Sequence, residues 1–246
     1  MRNIKLVIEY DGKNFAGWQT QPGKVSIQSE IERAIKEVTG EEVDLTASGR
    51  TDAGVHAIGQ VANFHTDTKI EIHKIPYALN SKLPKSIVIK SAEEVPERFH
   101  SRYLCKGKTY RYIINNNEFP SALNRYREFH ISQKLDICKM REALKCFEGT
   151  HDFKGFKSSG GSEKKTTVRT LTKLELQEKD GIITVELSGD GFLYNMVRII
   201  VGTIVDVGLG KIKVEDLPEI IESKDRTRAG KTLPPHGLYL VQVRYE

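Results

Sequence analysis

Several residue types that define common functional classes are scarce in this chain. The three cysteines, Cys105, Cys138 and Cys146, are odd in number and form no Cys-x-x-Cys pair. Neither a disulfide framework nor a zinc site is therefore expected. The seven histidines include no His-x-x-x-His pair beside a carboxylate, so a metal site has no support.

Long apolar runs are also missing. No stretch approaches the roughly 20 apolar residues that a membrane-spanning helix needs. The first residues lead directly into a strand pattern rather than into a signal-peptide core, which predicts a cytoplasmic protein without a membrane partner. The net charge of +5 is a mild excess, compatible with a nucleic-acid partner without demonstrating one.

The hydrophobic pattern of the first half predicts the element order β-α-β-β-α-β. Alternating apolar residues from Ile4 to Tyr10 indicate a strand. Ser26 can cap a helix that stops at Gly40. The remaining strands are predicted over 43–47, 59–65 and 86–91, with a short helix over 75–83.

The second half repeats this order without an obvious repeat of sequence. Strands are predicted over 108–115, 167–178, 182–188 and 238–245, and helices after Asp136, over 193–207 and over 214–221. Two such units predict an α+β fold of two ferredoxin-like halves, 1–104 and 105–246. We expect the two sheets to meet side by side, with a cleft at the join. The β-β hairpins argue against a single doubly wound domain.

The octapeptide at 49–56, GRTDAGVH, carries the strongest functional signal. Its glycines permit a tight turn and the close approach of another backbone. Small neighbours leave Asp52 room to project, and Arg50 supplies a cation two residues away. This pairing suits chemistry on a polyanion, although a solvated turn in which Asp52 bonds its own backbone is the ordinary alternative.

Three further segments are rich in functional side chains. In the strand at 108–115, Tyr110 and Tyr112 share one face and Arg111 points to the other. Aromatic residues among cations such as Arg102 and Lys108 suit base stacking and phosphate contact, although a tyrosine-rich core strand with a charged outer face is equally plausible.

The other two segments lie near the end of the chain. Arg198 is the only cation between residues 193 and 207. Since an unpaired buried charge is costly, it needs a partner, and the candidates are Asp52, a backbone carbonyl or water. A basic loop, RTRAGK at 226–231, is read either as an RNA contact or as a solvated loop.

Together these segments resemble the tRNA pseudouridine synthase A family. The similarity runs in order through most of the chain and includes EYDG at 9–12, FAGWQ at 15–19, GRTDAGVH at 49–56, FHSR at 99–102, YRY at 110–112, GTHDF at 149–153, NMVR at 195–198 and GLYL at 237–240. Asp190 departs from the more familiar Asn, and the loop at 231–235 is a looser version of the usual one.

The resemblance implies conversion of uridine to pseudouridine at positions 38, 39 and 40 of the tRNA anticodon stem-loop. It further implies that the two ferredoxin-like halves join into one mixed, mostly antiparallel sheet with a central catalytic cleft. The other implications are a homodimer, a tRNA partner, and no metal or small-molecule cofactor. The reaction needs a carboxylate, which we assign to Asp52, in an ion pair with Arg198 that keeps it charged in a dry site. Tyr110 is expected to stack on the uracil.

Basic residues of the same segments are the candidates for substrate binding. Arg50 is expected either to fill the space that the extruded base leaves or to hold the RNA backbone. Arg102 and Lys108 are expected to bind phosphates, as are Lys106, Arg226, Arg228 and Lys231. The competing hypotheses are a non-catalytic RNA-binding module that uses the same basic residues, and a phosphodiesterase that uses Asp52 with His56.

Overall fold

The computed structural model describes residues 1–160 and 166–246, and the chain divides into two compact units. The first unit contains Met1–Lys106 and Tyr239–Glu246, and the second contains Gly107–Leu238. The sequence-based division at 104 and 105 assigned the terminal strand to the second half. Its residues Tyr239–Glu246 group instead with the first unit, where Tyr239 and Leu240 pair in parallel with His56 and Ala57.

The first unit is an α+β structure whose elements follow the predicted order. Its strands and helices are β1 (Arg2–Tyr10), α1 (Ile27–Thr39), β2 (Thr46–Ala47), β3 (His56–Thr66), α2 (Ile75–Asn80) and β4 (Ile87–Val95), with β10 (Leu238–Arg244) added from the end of the chain. The sheet order is β4-β1-β3-β10, and β2 pairs with β3. β1 lies antiparallel to both neighbours, with Leu6 opposite Ala62 on one side and Ala92 on the other.

Local sequence explains the ends of α1. The Ser26 side chain accepts the Ser29 backbone N–H, and Gly40 closes the helix with φ +78°. A left-handed conformation costs glycine little, because it has no Cβ. The buried stripe of Ile27, Ile31, Ala34 and Ile35 has the spacing of one helix face.

The second unit is also α+β and mostly antiparallel. It contains β5 (Gly107–Asn115), β6 (Phe129–His130), α3 (Ile137–Lys145), β7 (Gly149–Asp152), β8 (Val168–Lys179), β9 (Ile182–Gly189), α4 (Met196–Gly208) and α5 (Leu217–Ser223). The strand order is β5-β9-β8-β7, and β6 pairs in parallel with β5. Tyr110 lies opposite Leu187 in the β5–β9 ladder.

The α+β class with mostly antiparallel pairing is confirmed in both units, whereas some element bounds differ. The strand predicted over 43–47 is only two residues long. Leu45 instead donates its N–H to the Glu32 carboxylate and accepts from the Gln28 amide, so its backbone bonds to α1 side chains rather than to a strand. The short strands β6 and β7 were not predicted. Within the described residues, no helix has the length and apolarity to cross a membrane.

Candidate active site

The Asp52 loop, residues 48–55, connects β2 to β3. Asp52 is half-buried and Arg50 is exposed. Val55 donates its backbone N–H to the Asp52 carbonyl at 3.1 Å, which closes a tight turn around Ala53 and Gly54. This turn fixes the backbone position from which the Asp52 side chain extends.

A buried glutamine on β3 holds the start of this loop. Ser48 donates its N–H to the Val61 carbonyl at 2.8 Å and its hydroxyl to Gln60 Oε1 at 2.8 Å. The Gln60 amide then donates to the Gly49 carbonyl at 2.9 Å. Gln60 is fully buried, so these bonds do not compete with water and the chain enters the turn in one conformation.

Two buried aromatic residues hold Thr51, the residue directly before Asp52. The Tyr10 and Thr51 hydroxyl oxygens lie 2.7 Å apart, and Trp18 donates its backbone N–H to the Thr51 carbonyl at 3.0 Å. Burial raises the pKa of the Tyr10 phenol well above its ordinary value, so this bond is made by a neutral hydroxyl. Thr51 is thus fixed through both its side chain and its backbone.

Glycine is required where the 12–17 segment passes the Asp52 loop. A Cβ on Gly17, whose φ is +93°, would lie 2.7 Å from the Thr51 carbonyl oxygen, and one on Gly12 would lie 2.0 Å from the Val55 carbonyl oxygen. Both separations are shorter than any normal van der Waals contact. The loop is therefore packed directly against backbone on either side of Asp52.

His56 belongs to the framework beneath the loop. Its ring is buried, accepts the Gly12 N–H on Nδ1 at 3.1 Å, and has that nitrogen 3.2 Å from an Asp11 carboxylate oxygen. It also stacks on Tyr239, with 4.8 Å between ring centres. Because a catalytic base must face the substrate, this placement does not favour the phosphodiesterase hypothesis.

Tyr110 lies on the buried face of β5 in the second unit. Tyr110 and Tyr112 are buried, whereas Arg111 on the opposite face pairs with Glu186 at 2.7 Å, which confirms the predicted alternation. The Tyr110 ring meets Phe192 edge to face, with 5.0 Å between ring centres. Such a contact fixes the ring plane, as a stacking role on a base would require.

Arg198 is half-buried on α4, and its guanidinium is oriented by its own unit. Nε donates to the Leu233 carbonyl at 2.6 Å and Nη1 to Asn195 Oδ1 at 2.6 Å. Tyr112 donates its hydroxyl to the next carbonyl, that of Pro234, at 2.8 Å. Arg198 on α4 and Tyr112 on β5 therefore bind neighbouring backbone carbonyls, those of Leu233 and Pro234.

The basic residues assigned to phosphates differ in their surroundings. Arg102 is exposed and Lys108 is half-buried on β5. Arg226 donates to the Gly230 carbonyl at 3.0 Å and to the Thr232 hydroxyl at 3.0 Å, so its guanidinium holds the basic loop together. In the same loop, Arg228 pairs with Glu219 at 2.9 Å.

Asn195, which belongs to the NMVR motif but was assigned no role from the sequence, is the N-cap residue of α4 with φ +60°. Its position directly before the helix, three residues from Arg198, was the available signal. Tyr10 and Gln60 fall within predicted strands, and Trp18 was expected in a loop with no role beyond packing. Nothing in their spacing indicates that they reach the Asp52 loop. In the segments that the structure describes, no cluster of three or more His, Cys, Asp or Glu side chains could hold a metal ion.

Comparison with known proteins shows extensive similarity. A family model described as tRNA pseudouridine synthase matches residues 6–104 and 143–246. A protein of Acetivibrio thermocellus named tRNA pseudouridine synthase A is 57% identical over 245 residues, covering 100% of both chains. Relatives from Thermoanaerobacter sp. (tRNA pseudouridine synthase A) and Clostridium perfringens (tRNA pseudouridine synthase A 2) are 52% and 53% identical, again with 100% of both chains covered.

Proposed function

Because this chain belongs to the tRNA pseudouridine synthase family, we propose that it isomerises uridine to pseudouridine in the anticodon stem-loop of tRNA, at positions 38, 39 and 40. The observation that carries the proposal is the full-length similarity to proteins that bear this name. The local structure supports it, since Asp52 stands on a loop whose neighbouring residue is held by buried hydrogen bonds.

The reaction rearranges bonds within one nucleotide. The N1–C1′ bond breaks, the uracil turns, and a C5–C1′ bond forms, while the proton on C5 is lost and N1 gains one. Nothing is oxidised or reduced, so the balance requires no redox partner. The protein must extrude the base, hold it while it turns, and provide one nucleophilic or basic group.

We assign that group to Asp52. A carboxylate acts best when it is held in place before the substrate arrives, because misplacement by about 1 Å can reduce a rate by about 100-fold. The hydrogen bonds that Thr51 makes with Tyr10 and Trp18 support the assignment, because they restrain the residue directly before Asp52. Attack at C1′, attack at C6, and removal of a sugar proton are all compatible with an ionised carboxylate.

Arg198 and Tyr110 are proposed to complete the catalytic set. An ion pair between Arg198 and Asp52 would favour the charged carboxylate against desolvation. The Leu233 and Asn195 bonds support this assignment, because they restrain the guanidinium. Tyr110 would stack on the uracil, a function that its Phe192 contact supports by fixing the ring.

The remaining assignments concern the RNA. Arg50, exposed beside Asp52, would occupy the space left by the extruded base, and Arg102 and Lys108 would contact phosphates. We further propose that the protein acts as a homodimer on tRNA in the cytoplasm, without metal or small-molecule cofactor.

The test is product formation by Asp52→Asn. Unmodified tRNA is incubated with the protein and pseudouridine is mapped by carbodiimide-blocked primer extension. We expect the wild type to give stops at the target positions and Asp52→Asn to lose activity by at least about 10⁴-fold, with tRNA binding within about twofold of wild type because the basic residues remain.

Asp44→Asn is the matched control, since Asp44 is an exposed aspartate of the same unit, and it should retain full activity. Absence of pseudouridine with the wild-type protein would contradict the proposed function. Normal activity of Asp52→Asn would contradict only the assignment of the catalytic carboxylate.

A further inference from the structure

Residues 98–106, here called the Tyr103 segment, present an aromatic ring to solvent beside several cations. Tyr103 is 75% exposed. Arg98, Arg102 and Lys106 are exposed as well. A large aromatic side chain with so little of its surface buried contributes little to folding, which makes it a candidate for intermolecular contact.

The backbone of this segment is anchored at its centre. Ser101 donates its N–H to Asn63 Oδ1 at 2.8 Å and accepts the Tyr245 hydroxyl on its carbonyl at 2.9 Å. The Asn63 amide in turn donates to Asn3 Oδ1 at 3.0 Å. Ser101 and Asn63 are both buried. The exposed ring therefore projects from a fixed base.

The ring itself is also held in position. His100 Nδ1 accepts the backbone N–H groups of Arg102 and Tyr103 at 3.2 and 3.3 Å, and its ring centre lies 4.1 Å from that of Tyr103. The Arg102 guanidinium carbon lies 6.0 Å from the Tyr103 ring centre. Ordering of the ring before binding lowers the entropic cost of contact with a partner.

The Tyr103 segment and the Asp52 loop are attached to the same strand. Ser48, at the start of the Asp52 loop, bonds the Val61 backbone, while Ser101 bonds the Asn63 side chain. Val61 and Asn63 are two residues apart on β3, a rise of about 7 Å. The same strand therefore anchors both the Asp52 loop and the Tyr103 segment within the first unit.

We propose that Tyr103 is a stacking platform for an unpaired base of the tRNA. Arg102 contacts the adjacent phosphate. The inference rests on the proposed function and adds a residue to its RNA-binding surface. An unpaired base is the occupant that the chemistry favours, because every base has a face that stacks on an aromatic ring and each nucleotide brings a phosphate for the cation.

The test compares Tyr103→Ala, Tyr103→Phe and Tyr77→Ala in binding of an unmodified tRNA transcript, measured by fluorescence anisotropy over a range of salt concentrations. Tyr77 is the matched control, because it is 79% exposed on the same unit. Removal of a base-stacking ring should weaken binding about five- to tenfold. Tyr103→Phe keeps the ring and should bind like wild type, as should Tyr77→Ala.

Salt dependence separates stacking from phosphate contact. Tyr103→Ala should leave the slope of log K against log salt unchanged, whereas Arg102→Ala should reduce its magnitude by about one. A thermal melt checks that each variant is folded, and pseudouridine formation by the wild type is measured in the same preparation.

Wild-type affinity in Tyr103→Ala would overturn the inference, as would equal weakening in Tyr77→Ala. Equal loss in Tyr103→Phe would mean that the hydroxyl, not the ring face, makes the contact. A change in oligomeric state with Tyr103→Ala would mean that the ring contacts a second copy of the chain. In each case the wild type still makes pseudouridine, whereas failure of the proposed function removes that activity.

Discussion

The hydrogen bond between Tyr10 and Thr51 provides a direct test of how the Asp52 loop is held. Tyr10→Phe removes one hydroxyl and leaves the ring in the core. The two oxygens are 2.7 Å apart, and both residues are buried, at 3% and 7% exposure. Thr51 would then keep a buried hydroxyl without this partner. Loss of such a bond with one partner left behind costs about 1–3 kcal/mol of unfolding free energy.

The effect on activity should exceed that of a simple loss of stability. Without this hydrogen bond the Thr51 side chain is less restrained. Because Thr51 directly precedes Asp52, the Asp52 carboxylate can then move. A displacement of about 1 Å corresponds to a rate loss of up to about 100-fold. We expect kcat for pseudouridine formation to fall about 10- to 100-fold at a temperature where the variant is folded, with KM changed by less than about threefold, because the RNA contacts remain.

A double-mutant cycle with Thr51→Val isolates the bond. Removing both hydroxyls leaves no unsatisfied group, so Tyr10→Phe/Thr51→Val should be more stable than the sum of the single losses predicts, with a coupling of about 0.5–3 kcal/mol. Denaturant unfolding gives the stabilities, and single-turnover kinetics give the rates. Additive losses in the cycle, or wild-type kcat in Tyr10→Phe, would refute this explanation of loop positioning.

Three further outcomes are expected. Gly17→Ala should lower stability by about 1–3 kcal/mol through its left-handed backbone and reduce kcat as well, because its Cβ meets the Asp52 loop at 2.7 Å. Gly23→Ala, also at positive φ but with open space around its Cβ, should cost stability alone in parallel unfolding and activity assays. Asn195→Ala should lower kcat about tenfold by releasing the Arg198 guanidinium, and Asn195→Asp, which keeps the acceptor oxygen, should restore most of it; equal loss in both would contradict the orienting role. Hydrogen bonds from the Thr167 hydroxyl and the Lys224 ammonium lower the pKa of Asp152. The stability that Asp152 contributes is therefore present above about pH 4 and is lost as the pH falls through its folded-state pKa. Denaturant midpoints should fall less on acidification in Asp152→Asn than in the wild type, and an identical pH profile in the two proteins would contradict this.

Local features were predictable because short-range chemistry decides them. The Ser26 cap and the Gly40 stop fixed both ends of α1, and alternation fixed β1 and the tyrosine face of β5. The functional motif around Asp52 was also readable, since its residue types and spacing carry the family resemblance. Caps, alternation and motifs involve neighbours in the chain, so the printed sequence contains them directly.

Other features depended on partners distant in sequence. The strand expected over 43–47 contains only Thr46–Ala47, because the Leu45 backbone N–H bonds to the Glu32 carboxylate on α1. Lys224 forms an ion pair with Asp152 at 2.9 Å across a separation that no local pattern records. In the first case a hydrogen bond prevailed over the local strand preference, and in the second an ion pair joins side chains that are far apart in the sequence.

The sequence by itself determined which carboxylate is the candidate and which elements flank it, because turn chemistry and hydrophobic periodicity are local properties. Tertiary structure alone decided how that carboxylate is held. Tyr10 lies 41 positions from Thr51, and only folding of β1 beside β3 places its hydroxyl within reach. A buried polar group bonds whatever partner the packing provides, and that packing is a property of the whole fold.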